Sequence, residues 1–282
     1  AEIMSNKWYK KGSELLREIV ETSLPKELCS LWYIGQMGMI LKWKGIVLCI
    51  DPVLGAMPGE DGEDRRNYPI PFLPEELRAD YVFCTHDHGD HMHQETLVKL
   101  AKRNPQMKIV LPLPLVEQAL SFGISKDQLL GLCQDQKITL EEGIPVNPAA
   151  TAHESYQFDQ EGHSLTLGYE IRLGDRGFFH SGDTIVTREL IDKLQKSHGI
   201  DAAMVPINGR DLERNERDIV GNMNSREACW FASAIGADLT IPLHYDMIGG
   251  NEENPLIFAD YMERHYPKKK YHIFRLGERY IL

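Results

Sequence analysis

Residues 81–91 read YVFCTHDHGDH, and positions 86–91 of that stretch hold three histidines and two aspartates directly behind a short apolar run. The run YVF has the aromatic and β-branched character of a strand. A strand sends His86 and His88 to one side, and Gly89 frees the chain to turn so that Asp90 and His91 curl back toward the same point. One segment therefore offers two pairs of ligands. Imidazole with carboxylate suits zinc, manganese or iron, and no thiolate marks a soft-metal site. On this segment alone, a solvated, histidine-rich helix start is the competing reading.

Other apolar runs end in the same residue types: His153 in ATAHES, Asp183 in FFHSGDT and His244 in IPLHYD. Each lies where a strand delivers a side chain to a sheet edge. Singly, a strand-end histidine is more often structural, and SGDT reads equally as a helix cap. Together they supply two three-ligand sets and a bridge, which is what a dinuclear hydrolase needs.

Around these motifs the chain runs twice through one pattern. Residues 11–22 read as an amphipathic helix with Leu15, Leu16, Ile19 and Val20 on one side. The β-rich runs 30–35, 39–45 and 46–51 are spaced as antiparallel hairpins, and the Gly-, Pro- and charge-rich stretch 55–72 is a long loop of the lid or binding type. Alternation follows: helix near 74–79, strand 81–84, helix 94–103, strand 108–111 and helices within 113–131. A second β-rich stretch covers 138–152, 165–173 and 177–180, with GDRG at 174–177 as a hairpin turn. Helix 186–196, strand 202–206, helix 225–235 stopped at Gly236, strand 239–242, helix 255–264 and a final pair of strands complete it. Two halves that each pass from β-meander to β/α predict an α/β fold, a four-layer αββα sandwich of two packed mixed sheets with outer helices. No linker interrupts the chain, so one domain over 1–282 is expected, with 1–25 as an N-terminal helical extension.

Composition narrows the function. The 42 acidic against 31 basic residues give a net charge of −11, which repels a phosphate backbone and makes nucleic acid a poor partner. Cys29, Cys49, Cys84, Cys133 and Cys229 form no C-x-x-C pair and read as reduced core residues of a cytoplasmic protein. Neither a signal-peptide core nor an apolar run of about 18 residues is evident, so neither secretion nor membrane insertion is signalled.

The order H-x-H-x-D-H, then His153, Asp183 within HSGDT, and His244 resembles the metallo-β-lactamase-fold hydrolases, from about Trp32 to the C-terminus. The resemblance implies two divalent ions, zinc or manganese, with iron also accepted by these donors. His86, His88 and His153 would hold one, Asp90, His91 and His244 the other, and Asp183 would bridge them. Asp51 matches the family's first motif, whose aspartate closes a strand and orients the ligand loop from behind; a simple strand-end turn is compatible with that role. FFHSGDT, MVPINGRD with GNMNSREA, IPLHYDM and the opening LWYIGQMGMILKWKGIVLCIDP are most similar to the UlaG-like branch, which contains an L-ascorbate-6-phosphate lactonase.

In such a centre two ions about 3.5–4 Å apart share a water, lower its pKa toward 7 and direct the bridging hydroxide at a carbonyl or phosphorus. Asp90, beside that water, is the expected proton carrier. Asp87 is expected to support the ligands from behind, an outward-facing residue being the alternative. His180 either orients Asp183 or lines the pocket, with a packed strand histidine as the equal alternative, and His93 begins a helix. Substrate contacts are sought in 208–225, where Asn208, Arg210, Arg214, Arg217, Asn222 and Asn224 offer donors. Arg210 is the first choice for a phosphate or carboxylate, with Asn208 and Tyr245 beside it, although interleaved Arg and Glu also describe a solvated, ion-paired helix. Tyr68 is a further candidate wall, whereas Trp32 and Tyr33 read as core. The expected activity is that of a lactonase acting on a small polar sugar lactone, phosphorylated or not. The alternatives are a phosphodiesterase acting on small or phospholipid-like substrates and a non-catalytic metal-binding protein; the complete ligand set argues against the last. A homo-oligomer through the N-terminal helix rests on analogy alone.

Overall fold

The computed structural model describes residues 7–282; residues 1–6 of the expected N-terminal extension lie outside the described residues. In chain order the elements are α1 (Gly12–Glu21), β1 (Ser30–Gly35), β2 (Gly38–Trp43), β3 (Ile46–Ile50), β4 (Tyr81–Phe83), α2 (Gln94–Arg103), β5 (Lys108–Pro112), α3 (Val116–Ser121) and β6 (Leu129–Leu132). There follow β7 (Ile138–Thr139), β8 (Pro145–Ala150), β9 (Leu167–Leu173), β10 (Arg176–His180), α4 (Arg188–Leu194), β11 (Ala202–Pro206), α5 (Leu212–Asn215), α6 (Ser225–Ala234), β12 (Leu239–Leu243), α7 (Pro255–His265), β13 (Lys270–Tyr271) and β14 (Arg279–Ile281). The chain divides into two compact units, one comprising the chain up to Gly131 with Asp246–Gly249 and Phe274–Leu282, the other Leu132–Tyr245 with Gly250–Ile273.

The first unit contains a sheet in the order β14-β1-β2-β3-β4-β5-β6. It is antiparallel from β14 to β3 and parallel from β3 to β5. Strands β3 and β4 are apolar along their length and β1 is buried at every position, the pattern of strands covered on both faces. Helix α1 is fastened to this sheet near its C-terminal end. Glu18 accepts from the Trp32 indole N–H at 2.9 Å and pairs with Lys10. The Lys42 ammonium donates to the Ile19 and Val20 carbonyls at 2.7 and 2.8 Å, a cation placed on the carbonyls that a helix end leaves unpaired.

The second unit repeats the plan. Its sheet runs β13-β12-β11-β10-β9-β8-β7, antiparallel from β7 to β10 and parallel from β10 to β13. A hydrophobic core gathers Phe179, Leu190, Val205, Phe231 and Phe258 from strands and helices of this unit.

Two elements differ from the expected ones: Leu129–Leu132 is a strand at the sheet edge rather than helix, and the segment near 74–79 forms only a 3₁₀ turn at Pro74–Glu76. The final two strands, β13 and β14, join different sheets. Among the described residues no helix is long and apolar enough to cross a membrane.

Candidate metal centre

In the first unit the ligand loop leaves β4 beside Asp51, which follows β3 and sits in the left-handed region at φ 45°, a conformation uncommon for a side chain other than glycine. The Asp51 carboxylate is fully buried. Its Oδ1 accepts from the Thr85 N–H at 2.8 Å, and its Oδ2 accepts from the Thr85 hydroxyl at 2.6 Å and from His91 Nδ1 at 2.7 Å. Having given its proton to Asp51, the Thr85 hydroxyl accepts from His86 Nδ1 at 3.0 Å. One carboxylate thereby holds His91 directly and His86 through Thr85 in the tautomer that presents Nε2 to a metal. The His86 ring lies 4.1 Å from that of His91 and 4.6 Å from that of His88. His86 and His91 are buried and His88 is exposed. Asp90 Oδ2 lies 3.4 Å from His91 Nε2 and accepts from Gln36 Nε2 at 2.7 Å.

In the second unit β8 and β10 both run antiparallel to β9, and β10, β11 and β12 run parallel, so the C-terminal ends of β8, β10 and β12 meet at one sheet edge. His153, Asp183 and His244 all follow those ends. Asp183 Oδ2 stands 3.5 Å from His153 Nε2 and 3.1 Å from His244 Nε2. His153 donates Nδ1–H to the Gly221 carbonyl at 3.0 Å, while the Gly221 N–H donates to Glu154 at 2.8 Å. A side chain at Gly221 is excluded because its Cβ would lie 2.2 Å from that of Arg210. The Thr184 hydroxyl, 3.0 Å from the Ala152 N–H, ties the loop carrying Asp183 to the one carrying His153. His244 has φ 61°, so the strand stops abruptly at the ligand.

These donor sets fit a divalent metal. Two ligand atoms each about 2.0–2.2 Å from a shared ion, at a tetrahedral angle, lie roughly 3.3–3.6 Å apart. The His91–Asp90 and His153–Asp183 separations of 3.4 and 3.5 Å fall in that range, and the 3.1 Å of His244–Asp183 lies just below it.

The other candidates are placed differently. Asp87 is exposed, and the supporting position expected for it beneath the loop is filled by Asp51 and Thr85. His180 is buried and accepts from the Gly182 N–H at 3.1 Å, shaping the turn that precedes Asp183. Arg210 is not presented to a ligand: its guanidinium makes a bidentate pair with Glu227, 2.9 Å on each side, and donates to the Asn222 carbonyl. Arg214 is held by Asp211 and the Asn208 carbonyl. Asn208 is fully buried in an amide network with Asn222 and Asn251, and Tyr245 belongs to the hydrophobic core of its unit. His93 caps α2, accepting from the Thr96 N–H.

The sequence reading passed over Gln36, Thr85 and Gly221, which touch ligand residues directly. It also missed that Tyr68 and Tyr33 donate to Asp246 at 2.8 and 3.2 Å. Burial raises the Asp246 carboxyl above its ordinary value against the pull of those two hydroxyls. Thr85 lies inside the quoted motif, and Gln36 is marked only by its place between glycines in the β1–β2 turn.

Residues 47–245, which include Asp51 and every candidate ligand, match the family model described as the beta-lactamase superfamily domain. A UPF0173 protein of Pyrococcus abyssi is 28% identical over 220 residues, covering 78% of this chain and 84% of that protein. A UPF0173 metal-dependent hydrolase of Caldivirga maquilingensis is 24% identical over 250 residues, covering 88% and 96%. Among solved structures, Igni18, described as a novel metallo hydrolase from the archaeon Ignicoccus hospitalis, shares the fold with a TM-score of 0.69 at 17% identity, over 90% of this chain and 98% of that one. With two mixed seven-stranded sheets and a match over most of its length, the chain belongs to the beta-lactamase superfamily and has the metallo-β-lactamase fold.

Proposed function

We propose that the protein is a metal-dependent hydrolase. In this reading His86, His88 and His153 would hold one divalent ion, Asp90, His91 and His244 would hold a second, and Asp183 would serve both. One observation carries the reading: His86, His91 and His153 each give Nδ1 to an acceptor fixed by their own unit, which prepares Nε2 as a ligand. The donor set accepts zinc, manganese and iron alike. Bound ions of this kind supply Lewis acidity and lower the pKa of water toward 7.

The chain's own groups do the rest. Asp51 and Thr85 keep two imidazoles in one orientation and tautomer. Asp90, half-buried and gripped by Gln36, is placed to carry a proton to the leaving group. The substrate class we favour is a small polar lactone, in line with the likeness to the UlaG-like branch. Because Arg210 and Arg214 are already paired with Glu227 and Asp211, an unphosphorylated lactone suits this chain better than a phosphorylated one. We place the enzyme in the cytoplasm, acting on small molecules.

The test is turnover by protein reconstituted in turn with zinc, manganese and iron, on sugar lactones with and without phosphate and on bis-p-nitrophenyl phosphate. Lactone hydrolysis that a chelator abolishes and metal restores supports the reading. Turnover of the diester alone replaces lactonase by phosphodiesterase, and no turnover of any ester with any of the metals removes the hydrolase assignment.

A further inference from the structure

The second unit contains a groove of about 1070 Å³ walled by β7, β8 and β9 on one side and by α4 and the residues after it on the other. None of the seven candidate ligands lines it. Its polar groups have hydrogen-bonding capacity that the chain leaves unused. Glu170 in β9 is 5% exposed, yet its carboxylate accepts a single bond, from Asn147 Nδ2 at 3.2 Å. Arg172 stands 3.9 Å away, with its guanidinium given instead to the Gly199 and Asp175 carbonyls at 3.0 Å each. Asn147 Oδ1 and Ser197 Oγ, in the same groove, are buried with no hydrogen-bond partner.

A buried carboxylate with so little compensation is costly, and buried polar atoms lacking partners mark a place for something the chain does not itself provide. A carboxylate and an amide oxygen only accept, and a serine hydroxyl accepts as readily as it donates. Their complement is a cationic donor. Apolar lining comes from Pro145, Ala150 and Leu190 and ends in Tyr156 and Phe158, which are stacked with centroids 6.1 Å apart, while Gln134, Asp135, Thr139, Glu189 and His198 add a polar rim. Phe158 is 49% exposed, a large aromatic face open beside the groove. Competing cations are spoken for or outside: Lys193 is bound to Asp135 and the Pro148 carbonyl, and Lys196 is exposed.

We propose that this groove binds an amphipathic primary amine, its ammonium against Glu170 and Asn147 and its apolar body along Leu190 and Phe158. Charge and hydrogen-bond complementarity select the amine over a fatty acid or a neutral alcohol of the same shape. The inference stands whether or not the protein proves to be a hydrolase.

Calorimetric titration of the full chain with 4-phenylbutylamine, 4-phenylbutan-1-ol and 4-phenylbutanoate tests it. The amine should bind saturably with one site per chain, at least about tenfold tighter than the alcohol, a margin of about 1.4 kcal/mol. Glu170→Gln should erase that margin, and Asn147→Asp, which adds a second carboxylate, should widen it. No saturable amine binding, as expected if ordered water alone fills the groove, overturns the proposal. So does amine binding that matches the alcohol, or amine binding that Glu170→Gln leaves intact. If Glu170→Gln fails to fold, Asn147→Asp decides: a wider margin supports the site, and an unchanged one overturns it.

Discussion

Asp51 illustrates how much one buried carboxylate can organise. It accepts from Thr85 twice and from His91 once, so replacing it with Ala releases the tautomer and the aim of two histidines together. Groups that hold metal ligands from behind are each worth roughly 10–100-fold in metal affinity. We therefore expect Asp51→Ala to weaken metal binding by about that factor, measured by competition with a chromophoric chelator. Gln36→Leu should act similarly through Asp90, but on one ion only, leaving a second binding step unchanged in the same titration. The two residues were not equally visible in the sequence. Asp51 ends an apolar run, as the family's first motif requires, whereas a glutamine between glycines reads as a turn filler. Its role depends on a φ of 57° and a 2.7 Å contact 54 positions away. Arg210 misled for the converse reason, since an arginine looks available until the fold brings Glu227 on α6 against it.

At the scale of elements, α1 depends on its anchors more than on its own short length. Burial raises the Glu18 carboxyl, but the Lys10 ammonium and the Trp32 indole N–H outweigh it and hold it below its ordinary value. A carboxylate held low contributes stability above its unfolded pKa and loses it as pH falls through the folded value. Glu18→Gln should lower Tm by about 1–3 °C at pH 7. By calorimetry the gap from the wild type should close as pH drops below about 4; a gap that is constant with pH would contradict this account. Long periodic elements such as α2, α6, α7 and the β1–β3 meander were legible because an apolar face repeated several times. Strand β6 was not: LLGL is four residues long, and periodicity cannot separate so short an apolar run from a helical turn. The strand partner of β14 was also illegible, because register across more than two hundred residues is decided by the assembled sheet rather than by either local pattern.

For the whole molecule, the repeated passage from antiparallel meander to parallel strands explains why ligands recur after strand ends. In each unit the loops at one edge of the sheet carry the candidate site residues: the supporting Asp51 and the candidate ligand His86 after the parallel β3 and β4, and His153, Asp183 and His244 after β8, β10 and β12. This order was legible in the sequence because His153, Asp183 and His244 each close an apolar run, while the supporting hydrogen bonds were not. Ions bound only by the folded chain stabilise it by mass action. A chelator should therefore lower Tm, and the loss should be smaller in Asp183→Ala than in the wild type, by differential scanning calorimetry. The central claim is that the chain holds two ions through its seven candidate ligands. Elemental analysis of the reconstituted protein tests it most directly, with His153→Ala and the double variant His153→Ala/His244→Ala alongside. The account predicts two ions per chain in the wild type, one in His153→Ala and none held tightly in the double variant; a wild type that binds no ion, or a double variant that keeps the wild-type content, would contradict it.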